Sequence, residues 1–126
     1  MGLLMKLSTF VVVYACQDSL NGPLVHCYAD KQLVLTYVAR EALQDYFRIP
    51  GDMRITPEQW NLVVDRNLDA FRRIIEAKYE CDDWQVHNAF GQNYPKLVVT
   101  LDDMQRSGEE FTIDVLNLNA AFRPRS

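Results

Sequence analysis

Residues 54–80 read RITPEQWNLVVDRNLDAFRRIIEAKYE and carry the strongest structural signal in the chain. Apolar side chains recur there at three- and four-residue spacing, which is the pattern of a helix with one buried face. They are Trp60, Val63, Val64, Leu68, Ala70, Phe71, Ile74, Ile75, Ala77 and Tyr79. The pattern predicts one amphipathic helix over residues 57–79, about 35 Å long at ~1.5 Å per residue.

The start of this helix is marked by capping residues. The Thr56 hydroxyl can accept from the free backbone N–H groups of the first turn, and Gln59 can reach back to the N–H of Thr56. Pro57 fits the first helical position, where a missing N–H has no cost. The face opposite the apolar side chains is charged and includes a basic stripe, which comprises Arg66, Arg72 and Arg73.

The segments before the helix predict strands and one short helix. Residues 9–14 are rich in β-branched side chains, as buried strands are. The alternative for this run is a short export signal ending near Cys16, which the bulky Tyr14 disfavours. Residues 24–29 and 33–38 predict a β-hairpin, and residues 40–47 predict a short amphipathic helix.

The segments after the helix predict a long loop, two strands and a helical turn. The loop covers residues 81–95, followed by a strand at 96–101, a helical turn at 102–108 and a strand at 110–118. The chain then ends in a basic tail. We therefore expect a single α+β domain over residues 1–126. Its antiparallel sheet of about four or five strands would pack on one long helix plus a short helix.

Composition narrows the class of protein. The chain has 126 residues, 48% of them hydrophobic, and a formal net charge of −4. A negative charge disfavours nucleic acid as a partner, because phosphate binding needs a surplus of Lys and Arg. No stretch reaches the roughly 20 apolar residues of a membrane span, so a membrane partner is not expected. Three cysteines without CxxC spacing are typical of reduced thiols in a cytoplasmic protein.

The residues that usually carry chemistry do not form a recognisable site. His26 and Cys27 are neighbours in a predicted strand and would face opposite sides of the sheet. Cys81 and His87 are two ligands where a structural zinc site needs four. Acidic pairs such as residues 102–103 are typical of helix starts. We therefore predict no catalytic residue, no metal site and no cofactor, and favour a protein that is not an enzyme.

Aromatic residues in the 82–95 loop give the best binding hypothesis. Tyr, Trp and Arg are the residue types that dominate protein interfaces. The alternative is that the aromatic side chains pack back onto the domain. The candidate binding residues are Trp84, His87, Phe90 and Tyr94 in the loop, with Arg66 and Arg73 from the basic stripe.

Three stretches resemble an uncharacterised bacterial family known as domain of unknown function 1488. They are LVHCYADKQLVLTYVAREALQDYF, FRRIIEAKYE and KLVVTLDDM, within residues 24–104. Residues 40–43 match the family's REAL motif at the start of a short helix. The other matching positions are Phe71, Arg73, Ala77, Lys78, Tyr79, Val99, Thr100 and Asp103. The resemblance implies a small α+β domain; it assigns no activity and no catalytic residue.

These observations lead to a functional expectation with two alternatives. We expect a small cytoplasmic bacterial module that acts in protein interaction or regulation. Its partner would be another protein or a second copy of itself, bound as a homodimer through an edge strand or the 82–95 loop. One alternative is a small-molecule-binding protein or enzyme with a pocket between the sheet and that loop. The other is a phage or mobile-element inhibitor of a host factor.

Overall fold

The protein folds as a five-stranded sheet with helices packed against one face, in a computed structural model that describes residues 7–13, 22–89 and 91–117. This confirms the predicted α+β class. The elements, in chain order, are β1 Leu7–Val12, β2 Leu24–Ala29, β3 Gln32–Val38, α1 Arg40–Phe47, α2 Pro57–Arg66, α3 Leu68–Glu80, β4 Gln85–Ala89, β5 Gln92–Val99, α4 Leu101–Arg106 and a short 3₁₀ helix, Asp114–Leu116.

The prediction is an antiparallel sheet, whereas the sheet of the structure is mixed. Its strand order is β1-β2-β3-β5-β4, and β3 pairs with β5 in parallel while every other neighbouring pair is antiparallel. Parallel neighbours need a long crossover connection, which α1, α2 and α3 supply here. A sheet built only from hairpins would have been antiparallel throughout.

The predicted hairpin and the short helix after it are confirmed. Strands β2 and β3 pair from Leu24↔Tyr37 to Ala29↔Gln32, and α1 has the predicted bounds. The chain enters β2 through Gly22, whose φ is +88°. A Cβ at this position would collide with the carbonyl oxygen of Val38 and lie 2.7 Å from the backbone nitrogen of Arg40.

The predicted long helix is interrupted at Asn67, so the expectation of a single helix is wrong at this residue. Its φ and ψ are −106° and 22°. Helical backbone hydrogen bonds continue through the break. The Asn67 N–H donates to the Val63 carbonyl, and the Phe71 N–H donates to the Asn67 carbonyl. The predicted cap at the start is confirmed, with the Thr56 hydroxyl accepting from the Gln59 N–H.

The Asn67 side chain explains the interruption. Its Nδ2 donates to the Val63 carbonyl at 2.7 Å and to the Thr112 carbonyl at 2.8 Å. Its Oδ1 accepts from the Thr112 N–H at 2.9 Å. One buried amide therefore pairs both backbone groups of Thr112, as a neighbouring strand would. The predicted strand at 110–118 is wrong, because this segment is anchored to the helices and not to the sheet.

The core lies between the helices and one face of the sheet, here called the inner face. Alternate side chains of each strand enter it, as the two-residue period of a strand requires. Its buried members from the strands are Leu7, Val12, Val25, Cys27, Ala29, Val34, Val38, Leu97 and Val99. Those from the helices include Leu43, Phe47, Trp60, Val63, Val64, Phe71, Ile74, Ile75 and Met104. The predicted apolar face of the long helix is thus largely confirmed.

Two further predictions change in detail. Strand β1 begins at Leu7, and its pairing with β2 shifts between Ser8 and Val11, where Thr9 has a φ of 57°. The predicted 81–95 loop forms a second hairpin, β4 with β5, whose turn includes Gly91 at a φ of +75°. The polar outer strand of this hairpin lacks the apolar alternation that predicts a strand. The candidate export signal near Cys16 and the basic tail lie outside the described residues.

Candidate interaction surface

Three of the six predicted binding residues lie in the β4–β5 hairpin or directly before it. Trp84 precedes β4, and its half-buried ring stacks on Tyr79 with a centroid distance of 6.0 Å. His87 and Tyr94 are opposite each other in the two strands, and the Tyr94 hydroxyl donates to Gln92 Oε1 at 2.8 Å. The structure therefore gives Trp84 a packing role. The fourth loop residue, Phe90, lies outside the described residues.

The side chains that pair with Arg66 and Arg73 are carboxylates and not these aromatic residues. Arg73 donates two hydrogen bonds to the Glu109 carboxylate, both at 2.8 Å. Arg66 Nε lies 3.4 Å from Asp114 Oδ1. Both arginines are thus engaged by residues 109–117, hereafter the 109–117 segment. These partners are too far apart in the sequence for the pairs to be predicted.

The Arg73 and Glu109 pair changes the protonation of both groups. The hydrogen bond from Arg73 holds the pKa of Glu109 below its ordinary value of 4.5. The same hydrogen bond raises the pKa of Arg73 above its ordinary value. The pair therefore stays charged over the neutral range, and its two charges largely neutralise each other. Arg73 thus presents a paired charge rather than a free one, and its predicted role in binding stays a prediction.

The face of the sheet opposite the core presents a different set of side chains, here called the open face. Their orientation follows from the strand registers and from the alternation of each strand. The set comprises Ser8, Val11, Leu24, His26, Tyr28, Leu33, Leu35, Tyr37, Gln85, His87, Ala89, Gln92, Tyr94, Lys96 and Val98. Within the described part of the chain, the helices bury their side chains in the core on the other side of the sheet.

Most members of the open face are apolar or aromatic. Val11 is 51% exposed, Val98 is 40% exposed and Tyr28 is 36% exposed, whereas Leu24 and Leu35 are buried at 8% each. Lys96 is the charged member of the set, and its Nζ lies 5.2 Å from the centre of the Tyr37 ring. No carboxylate belongs to the set. A surface that collects several exposed apolar side chains on one sheet face is a candidate for binding a partner.

The signal for this surface is present in the sequence at residues 33–38. All six side chains of LVLTYV are apolar, aromatic or Thr. A strand with one solvated face normally alternates with polar residues. The run predicts one strand of a hairpin. A hairpin strand does not need apolar side chains on both faces. The missing polar alternation is the feature that points to the open face.

A charged cleft lies beside Trp84 on the molecule's surface. Its volume is about 630 Å³, and its lining includes Lys78, Asp83, Asp103 and Arg106. Lys78 Nζ donates to Asp83 at 2.7 Å and to Asp103 at 2.9 Å, and its side chain is 11% exposed. Burial alone would lower the pKa of Lys78, but these two carboxylates outweigh it and raise the pKa. The charges of this cleft therefore mainly satisfy one another.

The remaining titratable candidates offer no assembled reaction centre. His26 is partly exposed and Cys27 is fully buried on the opposite side of β2, which confirms their predicted separation. Burial, with a smaller effect of Glu76, raises the pKa of the Cys27 thiol to about 12. Cys81 is exposed. Among residues 7–13, 22–89 and 91–117, no group of three His, Cys, Asp or Glu side chains is placed to share a metal ion.

Comparisons with protein-family models, with curated proteins and with solved structures gave no match to this chain. No helix in the described ranges combines the length and apolar character that crossing a membrane requires. The fold and its surface define a small α+β protein with an open sheet face.

Proposed function

We propose that the protein is a small cytoplasmic bacterial module for protein interaction or regulation, and that it binds its partner through the open face. The observation that carries this proposal is the exposure of Val11, Tyr28 and Val98 on the sheet face that lies opposite the described helices. Burying apolar surface contributes roughly 25 cal/mol per Å² before the costs of association. A partner that covers this face would gain that contribution.

The composition of the open face indicates the chemistry of the partner. Lys96, the charged member of the face, also lines the charged cleft with Asp82, Asp83, Asp102 and Asp103. The remaining part of the face is mainly apolar and aromatic, so an apolar protein surface would fit it. Tyr28, Tyr37 and Tyr94 supply the rigid aromatic area that is enriched in interfaces.

The resemblance to domain of unknown function 1488 remains part of this proposal. Several of the matching positions lie together around one ion pair. Lys78 donates to Asp103, whose carboxylate also accepts from the Thr100 N–H at 2.9 Å, while Tyr79 stacks on Trp84. The matching residues would then be retained for packing and helix capping. In that case the matching residues stabilise the fold, and the function resides in the open face.

A small-molecule site in the charged cleft is the second candidate. The observation that favours it is Trp84 Nε1, which is buried and has no hydrogen-bond partner among the described residues. A ligand acceptor could receive this N–H. We rank the cleft second because Lys78, Asp83 and Asp103 already pair with one another. An inhibitor of a host factor would use the open face in the same way as a regulator.

The proposal can be tested by affinity capture from native lysate with quantitative mass spectrometry. Tyr28→Lys places a charge in the open face outside the lining of the charged cleft, and Leu62→Lys is the matched control, because Leu62 is 45% exposed on α2. We expect the wild type and the control to capture the same protein at similar levels, and Tyr28→Lys to lose it at least about tenfold. Equal capture by all three proteins would exclude the open face as the interface.

A further inference from the structure

We propose that the edge strand β4 pairs antiparallel with β4 of a second copy of this chain, joining two sheets into one. The inference rests on the proposed function only in treating the protein as an interaction module, since it uses a different surface. Strand β4 occupies one end of the sheet and pairs only with β5 within the described part of the chain. Its other side therefore presents backbone N–H and C=O groups to a further strand.

The two edges of this sheet differ in how they are protected. Strand β1 at the opposite edge is irregular, because its register shifts between Ser8 and Val11 and Thr9 has a positive φ. Such irregularities block the addition of another strand. Strand β4 pairs with β5 without interruption from Gln85↔Lys96 to Ala89↔Gln92. Its sequence, QVHNA, contains no charge and no proline. It therefore lacks the usual protection of an edge.

The side chains of β4 favour a second copy as the occupant and indicate its register. Val86 is 64% exposed and lies opposite Pro95 of β5. If a two-fold axis perpendicular to the sheet lies midway between the two β4 strands at the level of Val86, this residue lies beside Val86 of the second copy. The row across the junction would then be Pro95, Val86, Val86 and Pro95. All four are apolar, and cross-strand apolar pairs are what stabilise adjacent strands.

Other positions in this register are also compatible. Gln85 would lie opposite His87 of the second copy, where an amide and an imidazole can form a hydrogen bond. Asp83 would lie opposite Ala89, so acidic residues of the two copies would not face each other. A register centred on His87 would place two imidazoles together and Val86 against Asn88. The Val86 register is therefore the more favourable of the two.

Sedimentation equilibrium over a wide concentration range tests the pairing with the full chain. We expect the wild type to show a monomer–dimer equilibrium, and Val86→Lys to weaken it about tenfold or more, since two lysines would be placed side by side. Leu62→Lys is the matched control, because Leu62 is 45% exposed on α2 and belongs neither to β4 nor to the open face. It should dimerise as the wild type does. Circular dichroism checks that each variant is folded.

The register is tested by a cysteine at the proposed axis. Val86→Cys in a Cys16→Ser, Cys81→Ser background should form a disulfide-linked dimer rapidly with diamide, whereas Leu62→Cys in the same background should not. A monomeric wild type at all concentrations would overturn the proposal. So would a dimer that Val86→Lys leaves intact, or the absence of the Val86→Cys cross-link. Tyr28→Lys should still dimerise, so failure of this inference is distinguishable from failure of the open-face proposal.

Discussion

Asn67 is the residue on which the helical layer and the 109–117 segment both depend. It is buried, and its side-chain amide makes three hydrogen bonds to backbone groups of Val63 and Thr112. Replacing it with Ala would leave the N–H and C=O of Thr112 without these partners. Because unsatisfied buried polar groups are costly, we expect Asn67→Ala to lower the free energy of unfolding by about 3 kcal/mol.

Chemical denaturation measures this loss, and Asn67→Asp provides a sharper comparison. The Asp variant keeps an acceptor for the Thr112 N–H but loses both donors, so it should also be destabilised. Hydrogen exchange at the Thr112 amide should accelerate strongly in the Ala variant. If Asn67→Ala is within about 0.5 kcal/mol of the wild type, as ordinary surface changes are, the amide does not anchor the segment.

Gly22 should tolerate no side chain, for a reason that is steric as well as conformational. A Cβ there would meet the carbonyl oxygen of Val38, and the φ of +88° disfavours other residues. We expect Gly22→Ala to cost at least about 2 kcal/mol of unfolding free energy. Gly51→Ala is the matched control, since nothing lies within 4 Å of the place that its Cβ would occupy. Thermal or urea unfolding of both variants decides the point.

Local signals at the residue scale are predictable where they involve neighbours in sequence. The Thr56 and Gln59 cap is present in the structure because both partners lie three residues apart. The role of Arg73 is not predictable in this way, because its partner, Glu109, lies 36 residues further along the chain. Residue types alone indicate a basic surface, and only the fold shows that the charge is paired.

The 109–117 segment shows how an element can be held without being part of the sheet. Phe111 packs between Tyr46 and Phe71 at centroid distances of 5.2 and 4.9 Å. Glu109 and Asp114 pair with Arg73 and Arg66. Its alternating apolar residues resemble a strand, because one side of an extended chain faces the helices. The alternation therefore reflects packing against the helices, whereas the prediction placed the segment in the sheet.

The Glu109 pair makes this segment sensitive to acid. Its pKa is lowered in the folded state, so its stabilising contribution is complete above the ordinary value of 4.5 and is lost as the pH falls through the lowered folded value. Glu109→Gln should therefore melt below the wild type at pH 7. The difference should be smaller at pH 3 than at pH 7, because pH 3 lies below the ordinary value of 4.5.

Thermal melts at the two pH values check this expectation. Glu110→Gln is the matched control at the adjacent exposed position, and it should follow the wild type at both pH values. A difference between Glu109→Gln and the wild type that is the same at pH 7 and pH 3 would show that the carboxylate does not act through its charge.

At the scale of the whole molecule, the sheet is predictable in its parts and not in its order. Each strand of the β2–β3 hairpin can be recognised from its own residues. The parallel pairing of β3 with β5 joins distant segments, for which no local pattern exists. Strand β4 has no clear sequence signal because an edge strand buries little, and its polar residues resemble those of a loop.

The position of each strand predicts its rate of hydrogen exchange. Strands β2, β3 and β5 have neighbours on both sides, whereas β4 has one. In dilute solution the amides of β4 should exchange at least about tenfold faster than those of β3, as expected for a less stable part of a fold. Raising the protein concentration should slow exchange in β4 selectively if the second copy adds there. Exchange in β4 that is as slow as in β3 in dilute solution would contradict the first expectation.

The parallel pair also has a consequence for synthesis on the ribosome. The β2–β3 hairpin emerges early, but β5, which completes the pairing of β3, emerges only after three helices and β4 have been made. During that interval β3 is itself an edge, rich in apolar side chains on both faces. The nascent chain therefore passes through a stage that is prone to aggregation. Its recovery in soluble form should depend on chaperones and on the speed of translation.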